Sequence, residues 1–378
     1  MDIEIDSGAL SAAGFSEDRL RLVGERLQQA TSARATPGAV FVAGRGDQTV
    51  CTVVAGKAVD LPDCQRNMTA NTQFDVASLT KVCATLPAVL WLIDRGELLL
   101  SDRLEMYFPE YGDGVKRAVT VKHLLTHSAG LPPGDSLPAL PDVEARWRRV
   151  LQIPLAHEPG QRVVYSDIGF MLLGRLVETI SGQSLAEFAK TRIFLPLGMN
   201  DTSFRPTSAL AGPDEEAWGQ TPYDPPGFAA TEVVKEAGRA AYAFVHDENA
   251  YSLGGVCGHA GLFSTAQDMA RYARMWLGGD SQVLSRRAQE TALQCFTEGL
   301  DGRRGLGWCL RGDAYDHMGD LWPPSSFGHT GFTGTSLSID RTEQVWMVLL
   351  TNRVHYGREG DPLRLRRTLH NLVMRALL

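Results

Sequence analysis

Three short stretches of this sequence carry side chains able to move protons and hold an acyl group. Ser78-Leu79-Thr80-Lys81 sets a hydroxyl three residues ahead of an amine. Positions three apart share one face of a helix, so a helix beginning at Ser78 brings the two within reach. The unpaired N–H groups at its start also stabilise negative charge near the serine. An amine held against a hydroxyl can take its proton, and this pairing is one way to activate a weak nucleophile. Only six lysines occur, and only Lys81 has a serine three residues before it. By itself the pattern equally suits a helix N-cap serine beside a solvated lysine. Tyr165-Ser166-Asp167 offers a second group. A phenol flanked by a cation can lose its proton well below its usual value of about 10 and act as a shuttle. Tyr111-Gly112-Asp113 shows that the same pattern also arises elsewhere. The third stretch runs from Phe327 through His329-Thr330-Gly331-Phe332 to Ser336. Its glycines let backbone approach a ligand, and a strand edge there offers N–H groups for an oxyanion. A plain Gly-rich turn between strands reads the same way.

Together, and in this order, the three resemble the signature of the serine β-lactamase and penicillin-binding protein superfamily: S-x-x-K, a Ser/Tyr-x-Asn motif and K-T-G. The tyrosine points to the class C β-lactamase-like branch, which includes carboxylesterases and D-alanyl-D-alanine peptidases. Val119–Pro133, Tyr165–Thr179, Gly254–Ala270 and Leu350–Val354 also look like segments of that branch. The resemblance covers roughly residues 15–375. It implies that Ser78 is the nucleophile, that Lys81 and Tyr165 are its proton partners, and that His329-Thr330-Gly331 stands in for K-T-G. The oxyanion hole is then the backbone N–H of Ser78 and of Phe332. Two departures follow. Asp167 replaces asparagine, and a carboxylate near Lys81 favours the protonated amine, leaving Tyr165 as the general base. His329 replaces lysine, so a permanent charge gives way to an imidazole expected to titrate near pH 6.5. Both changes favour a carboxylesterase on small esters. A β-lactamase, a D-Ala-D-Ala carboxypeptidase and a non-catalytic β-lactam sensor are the alternatives.

The elements that must position these groups are legible in outline. Apolar spacing predicts an amphipathic helix over residues 16–33. Ala39–Ala43 and Thr49–Ala55 read as a hairpin joined by Gly44–Asp47. Residues 78–96 read as a buried helix that Pro87 should bend. Helical patches at 119–125, 142–151, 168–181 and 184–192 follow, and residues 205–230 read as an extended surface loop. Residues 266–277 return to helix. Thr335–Ile339 and Gln344–Leu350 read as strands, and a helix from Pro362 to Leu378 closes the chain. Strands at both ends and helices between predict an α+β fold of the β-lactamase/transpeptidase kind. One antiparallel sheet is built from both ends and flanked by helices, with a mainly helical lobe inserted. The division expected is a single catalytic domain over 1–378, with its α/β part at about 1–82 and 250–378 and its helical lobe at about 83–249.

Composition narrows the partners. Net charge is −7 and the pI near 5.8, which argues against nucleic acid as the main partner. Apolar residues make up 44% and charged residues 21%, as in a folded, water-soluble enzyme. The six cysteines form no C-x-x-C pair, so free buried thiols are expected. The most apolar stretch, Cys83–Ile93, is too short to span a bilayer. The start lacks the basic and apolar regions of a secretory signal, giving a cytoplasmic expectation, or a periplasmic one if a signal has been removed. His123 and His127 lack a glutamate motif for zinc, and His259 is expected to line or prop the cleft. His246–Asn249 reads as a structural loop near it. No metal or cofactor is expected, and the partner is a small ester or amide substrate.

Overall fold

A computed structural model of the chain describes residues 1–62, 64–207, 227–234, 239–240, 243–279 and 281–378. Its strands are β1 (Asp2–Ile5), β2 (Gly38–Arg45), β3 (Gln48–Asp60), β4 (Gln65–Asn67) and β5 (Phe74–Asp75), then β6 (Ser203–Phe204), β7 (Val233–Val234), β8 (Arg239–Ala240) and β9 (Leu262–Ser264). Near the end lie β10 (Cys309–Leu310), β11 (Phe327–Thr330), β12 (Ser336–Asp340) and β13 (Val345–Thr351). The main sheet runs β1-β3-β2-β13-β12-β11-β10, antiparallel throughout, with β4 added to β3. The two ends of the sequence therefore meet in one sheet, where β2 pairs with β13 from Ala39↔Thr351 to Arg45↔Val345.

Both faces of this sheet are covered, and that is why β2 and β13 read as continuous apolar runs rather than alternating ones. Ala39, Phe41 and Ala43 of β2 and Val345, Met347 and Leu349 of β13 face a core shared with the helices Glu17–Ser32 and Leu363–Ala376. Val40, Val42, Trp346, Val348 and Leu350 face the larger core beneath the helices Leu86–Asp94, Asp167–Ser181 and Ala266–Met275. The expected fold class, α+β with an antiparallel sheet drawn from both ends, is the one observed.

Several expectations shift in detail. The helix expected from Ser78 begins at Leu79 and widens into a π-helical turn, Lys81–Thr85, before the α-helix Leu86–Asp94. Pro87 then falls in the first turn of that α segment, where its missing N–H costs little. The run 205–230 was expected to be surface loop. Residues 208–226 lie outside the described residues, and Phe228, Ala229 and Ala230 are buried rather than exposed. All six cysteines are free, four of them buried. Among the described residues no helix is long and apolar enough to cross a membrane.

Candidate active site

A small sheet, β5-β9-β6, fixes the turn that presents Ser78. Val76 N–H continues the pairing by donating to Leu262 O (3.0 Å). Ala77 then takes a left-handed conformation, φ +47°, which non-glycine residues rarely adopt. Its N–H donates to Asp75 Oδ1 (2.8 Å), and its carbonyl accepts from Thr80 Oγ1 (2.7 Å). Thr80 Oγ1 in turn accepts Leu262 N–H (3.1 Å). The reversal leaves Ser78 half-buried at the mouth of the helix.

Lys81 is fully buried beneath it. Its Nζ donates to Ser78 Oγ (3.0 Å) and to His259 O (3.1 Å), and it pairs with Asp167 Oδ1 at 2.7 Å. Burial alone would discharge this amine. The Asp167 carboxylate and the Tyr165 phenol outweigh it and hold the group above the usual lysine range. Asp167 occupies the first turn of the helix Asp167–Ser181, where the helix dipole welcomes its charge. The sequence expectation that Asp167 keeps Lys81 protonated agrees with this geometry.

Tyr165 stands just before that helix, with its ring centre 5.0 Å from Lys81 Nζ. Rings pack around it: His127 at 4.6 Å, Tyr315 at 5.5 Å and His329 at 5.9 Å. His127 accepts Ser166 N–H on Nδ1 (3.1 Å), which steadies the backbone next to Tyr165. His123 belongs to the capping box of the helix Val121–Leu125, while His127 lies past its end at φ +56°.

His329-Thr330-Gly331 proves to be the end of β11 and the start of a tight turn into β12. Gly331 O accepts Gly334 N–H (3.0 Å), and Gly334 takes φ +105°. Thr333 Oγ1 and Thr335 Oγ1 tie this turn to Asp75 O (2.7 Å) and Val76 O (3.1 Å), just ahead of Ser78. A Cβ on Gly331 would lie 2.4 Å from Val76 O, so only glycine fits this approach. Neither Ser78 N–H nor Phe332 N–H donates to an acceptor among the described residues. The Phe332 side chain is 49% exposed.

One expectation fails here. His329 was expected to gain charge between pH 7.5 and 5.5. Burial, then the nearby cations of Lys81 and Arg304, push it well below the usual histidine range. Its Nδ1 lies 2.9 Å from Thr330 O and therefore carries the hydrogen. It stays neutral over that window. Asp167 does not counter this, because its carboxylate is engaged with Lys81.

Behind Lys81 a second ion pair is buried. His259 Nε2 lies 2.9 Å from Asp247 Oδ1 and is held protonated: burial opposes the charge, and Asp247 outweighs it. Asp247 also caps the helix Glu248–Ser252 through Ala250 N–H (2.8 Å). His246 N–H donates to Asp75 Oδ2 (2.7 Å), and Asn249 holds Leu137 N–H and Asp135 O. The structural reading of this loop agrees with these contacts. Donor atoms of Asp167, Asp247 and His259 lie within 4.8 Å of one another, a spacing a metal ion can use. Any such ion must displace the Lys81 ammonium and strip the His259 proton.

Sequence reasoning missed Arg304, Tyr315 and Arg366. Arg304 is 1% exposed, pairs with Asp313 (2.9 Å) and sits 5.1 Å from the Tyr315 ring and 5.9 Å from that of Tyr165. No motif spacing could have linked it to a tyrosine 139 positions earlier. Tyr315 lies exposed at the rim.

A buried lysine against a half-buried serine at a helix start, with a tyrosine and the turn from β11 into β12 beside them, brings the three sequence motifs into one place. The chain belongs to the Beta-lactamase family, whose model matches residues 23–371. It is 33% identical over 317 residues to a protein of Escherichia coli (strain K12) named "Putative D-alanyl-D-alanine carboxypeptidase", covering 76% of this chain and 70% of that one. A Salmonella typhimurium protein of the same name is 32% identical over 76% of this chain and 71% of its own. Among solved structures, the octameric penicillin-binding protein homologue from Pyrococcus abyssi superposes with a TM-score of 0.70 at 22% identity, over 95% of this chain and 76% of that one. EstCE1, a hydrolase with promiscuous acyltransferase activity, gives 0.71 at 21%, over 94% and 98%. These two show the shared fold.

Proposed function

We propose that this chain hydrolyses small neutral esters through an acyl-enzyme on Ser78. The observation that carries the reading is the contact chain Ser78–Lys81–Asp167, at 3.0 and 2.7 Å, with Lys81 wholly buried. Held as an ammonium, Lys81 donates to Ser78 Oγ and steadies charge, and it is a poor base. Tyr165 takes the Ser78 proton as Oγ attacks the ester carbonyl. The free N–H groups of Ser78 and Phe332 receive the oxyanion. As the alkoxy C–O bond breaks, the proton passes from Tyr165 to the departing alcohol. Water then attacks the acyl carbonyl as the same group takes its proton, and that proton returns to Ser78 Oγ as the acyl C–O bond breaks and the acid leaves.

The charge balance supports esters over carboxylate-bearing substrates. His329 is neutral, and the buried cations Lys81 and Arg304 each have a carboxylate already. A substrate carboxylate placed against His329 forgoes a charge-assisted hydrogen bond, about 1.5–3 kcal/mol. The names of the curated relatives support a second reading, removal of a terminal D-alanine from a D-Ala-D-Ala peptide.

A panel of p-nitrophenyl esters, a chromogenic cephalosporin and a D-Ala-D-Ala peptide, run on wild type, Ser78→Ala and His329→Lys, tests both. Ester turnover should dominate and vanish in Ser78→Ala, and KM for the cephalosporin should fall in His329→Lys. Full activity in Ser78→Ala rejects the acyl-enzyme. Faster turnover of the peptide than of any ester selects the second reading.

A further inference from the structure

The geometry points to Arg366, on the helix Leu363–Ala376, as the positioning residue for the Phe332 N–H. This rests on the reading above, in which that N–H faces the oxyanion. Arg366 is buried, and its Nη2 donates twice, to Gly331 O (3.0 Å) and to Thr335 O (2.9 Å). These two carbonyls bracket the turn that carries Phe332. Gly331 N–H closes the same turn on Thr335 O (2.8 Å).

Peptide geometry turns this clamp into an aim. The Gly331–Phe332 peptide is trans, so the unit is planar with its C=O and N–H antiparallel. Pinning Gly331 O toward the last helix turns Phe332 N–H away from it. On that other side the turn is stitched to Asp75 O and Val76 O, the approach to Ser78. Phe332 N–H finds no acceptor among the described residues.

Charge adds to direction. Burying a guanidinium is costly unless it is well partnered. Among the described residues Arg366 forms no ion pair with a carboxylate, and its Nη2 is given to two carbonyls. A positive group on the oxygen end of a peptide polarises it and strengthens the N–H at the other end as a donor. Arg366 thus acts on the oxyanion through one peptide unit, without touching substrate.

The test measures kcat and KM for a p-nitrophenyl ester, and Ki for phenylboronic acid, whose tetrahedral serine adduct carries an oxygen in the oxyanion position. Removing one oxyanion donor outright costs about 10²–10³ in kcat, so misaiming one should cost less, roughly tenfold to a hundredfold. Arg366→Met should show that loss in kcat, with KM within about twofold and the boronate Ki weakened by the same factor. Arg366→Lys keeps the charge at a shorter reach and should fall between, about threefold to tenfold, again matched in Ki. The lysine variant decides the matter should the methionine variant not fold. Wild-type kcat and Ki in Arg366→Lys overturn the inference, as does a kcat loss that leaves Ki unmoved, the mark of a merely structural role. Ser78→Ala measured alongside separates the failures: if it stays active the active-site reading falls, and if it is dead while Arg366→Lys is normal, only the role of Arg366 falls.

Discussion

Beside the nucleophile turn a buried histidine carries charge, while behind the main sheet two buried histidines are neutral. His259 faces the carboxylate of Asp247, which holds it protonated against burial. His317 and His370 share only a hydroxyl, with Ser338 Oγ at 2.8 and 2.7 Å. His370 Nδ1 lies 2.5 Å from Arg366 O and therefore carries its hydrogen. Its Nε2 then accepts from Ser338, which accepts in turn from His317. Burial pushes His370 down to about 4, and His317 well below its usual range. Equal burial thus gives opposite charge, and the partner decides which. β12 shows the division along one strand, with Leu337 and Ile339 facing the larger core and Ser338 facing the other way.

The strongest way to break the comparison is to remove the cation that the charged side serves. Lys81→Ala and Tyr165→Phe should each lower kcat by about 10²–10⁴, and together by little more than either alone, because they act as a unit. Steady-state kinetics on an ester decides it, and a Tyr165→Phe enzyme retaining more than about a tenth of kcat rejects Tyr165 as base. Next comes Asp247→Asn, which keeps the helix cap but removes the charge. It should cost about 3 kcal/mol in urea unfolding, since it removes the charge that offsets the burial of His259, and NMR should show His259 neutral at pH 7. A still-protonated His259 would mean that Asp247 is not what holds the proton.

On the neutral side, Ser338→Ala leaves two histidine nitrogens without their hydroxyl and should cost about 1–3 kcal/mol, with kcat unchanged. The pH dependence offers the finest test. His370 binds its proton less readily folded than unfolded, so its stabilising contribution is complete above about pH 6.5 and is lost as pH falls towards about 4. His259 is the reverse: its contribution is present below about 6.5 and is lost as pH rises through its raised value. Urea midpoints across pH 4–9 should therefore fall on the acid side in wild type, and His370→Gln should flatten that limb. An unchanged acid limb in His370→Gln would place the sensitivity elsewhere. Over pH 7.5–5.5, KM for the cephalosporin should not improve, because His329 stays neutral.

What the sequence showed and what it hid divide along similar lines. Ser78 and Lys81 are readable because a three-residue spacing is itself a geometry, and β2 and β13 because buried strands are plainly apolar. The strands β5, β6 and β9, two or three residues each, are too short to carry a period, although they set the turn at Ala77. The π-helical turn after Ser78 leaves no mark in side-chain pattern. Arg366 escapes because its partners are backbone carbonyls, which every residue has. The charge state of His329 was misjudged because it depends on burial and on Arg304, neither of which is adjacent in sequence.

The pairing of β2 with β13 also has a consequence for synthesis. The hairpin of β2 and β3 is complete by Asp60, yet the strand that covers the open edge of β2 ends at Thr351. At about 5–20 residues per second, the roughly 300 residues between take about 15–60 s to emerge from the ribosome. For that interval Val40, Phe41 and Val42 border an unsatisfied strand edge, a template for pairing with another chain. Until its last hundred residues arrive, pairing of that edge with another chain therefore competes with correct folding.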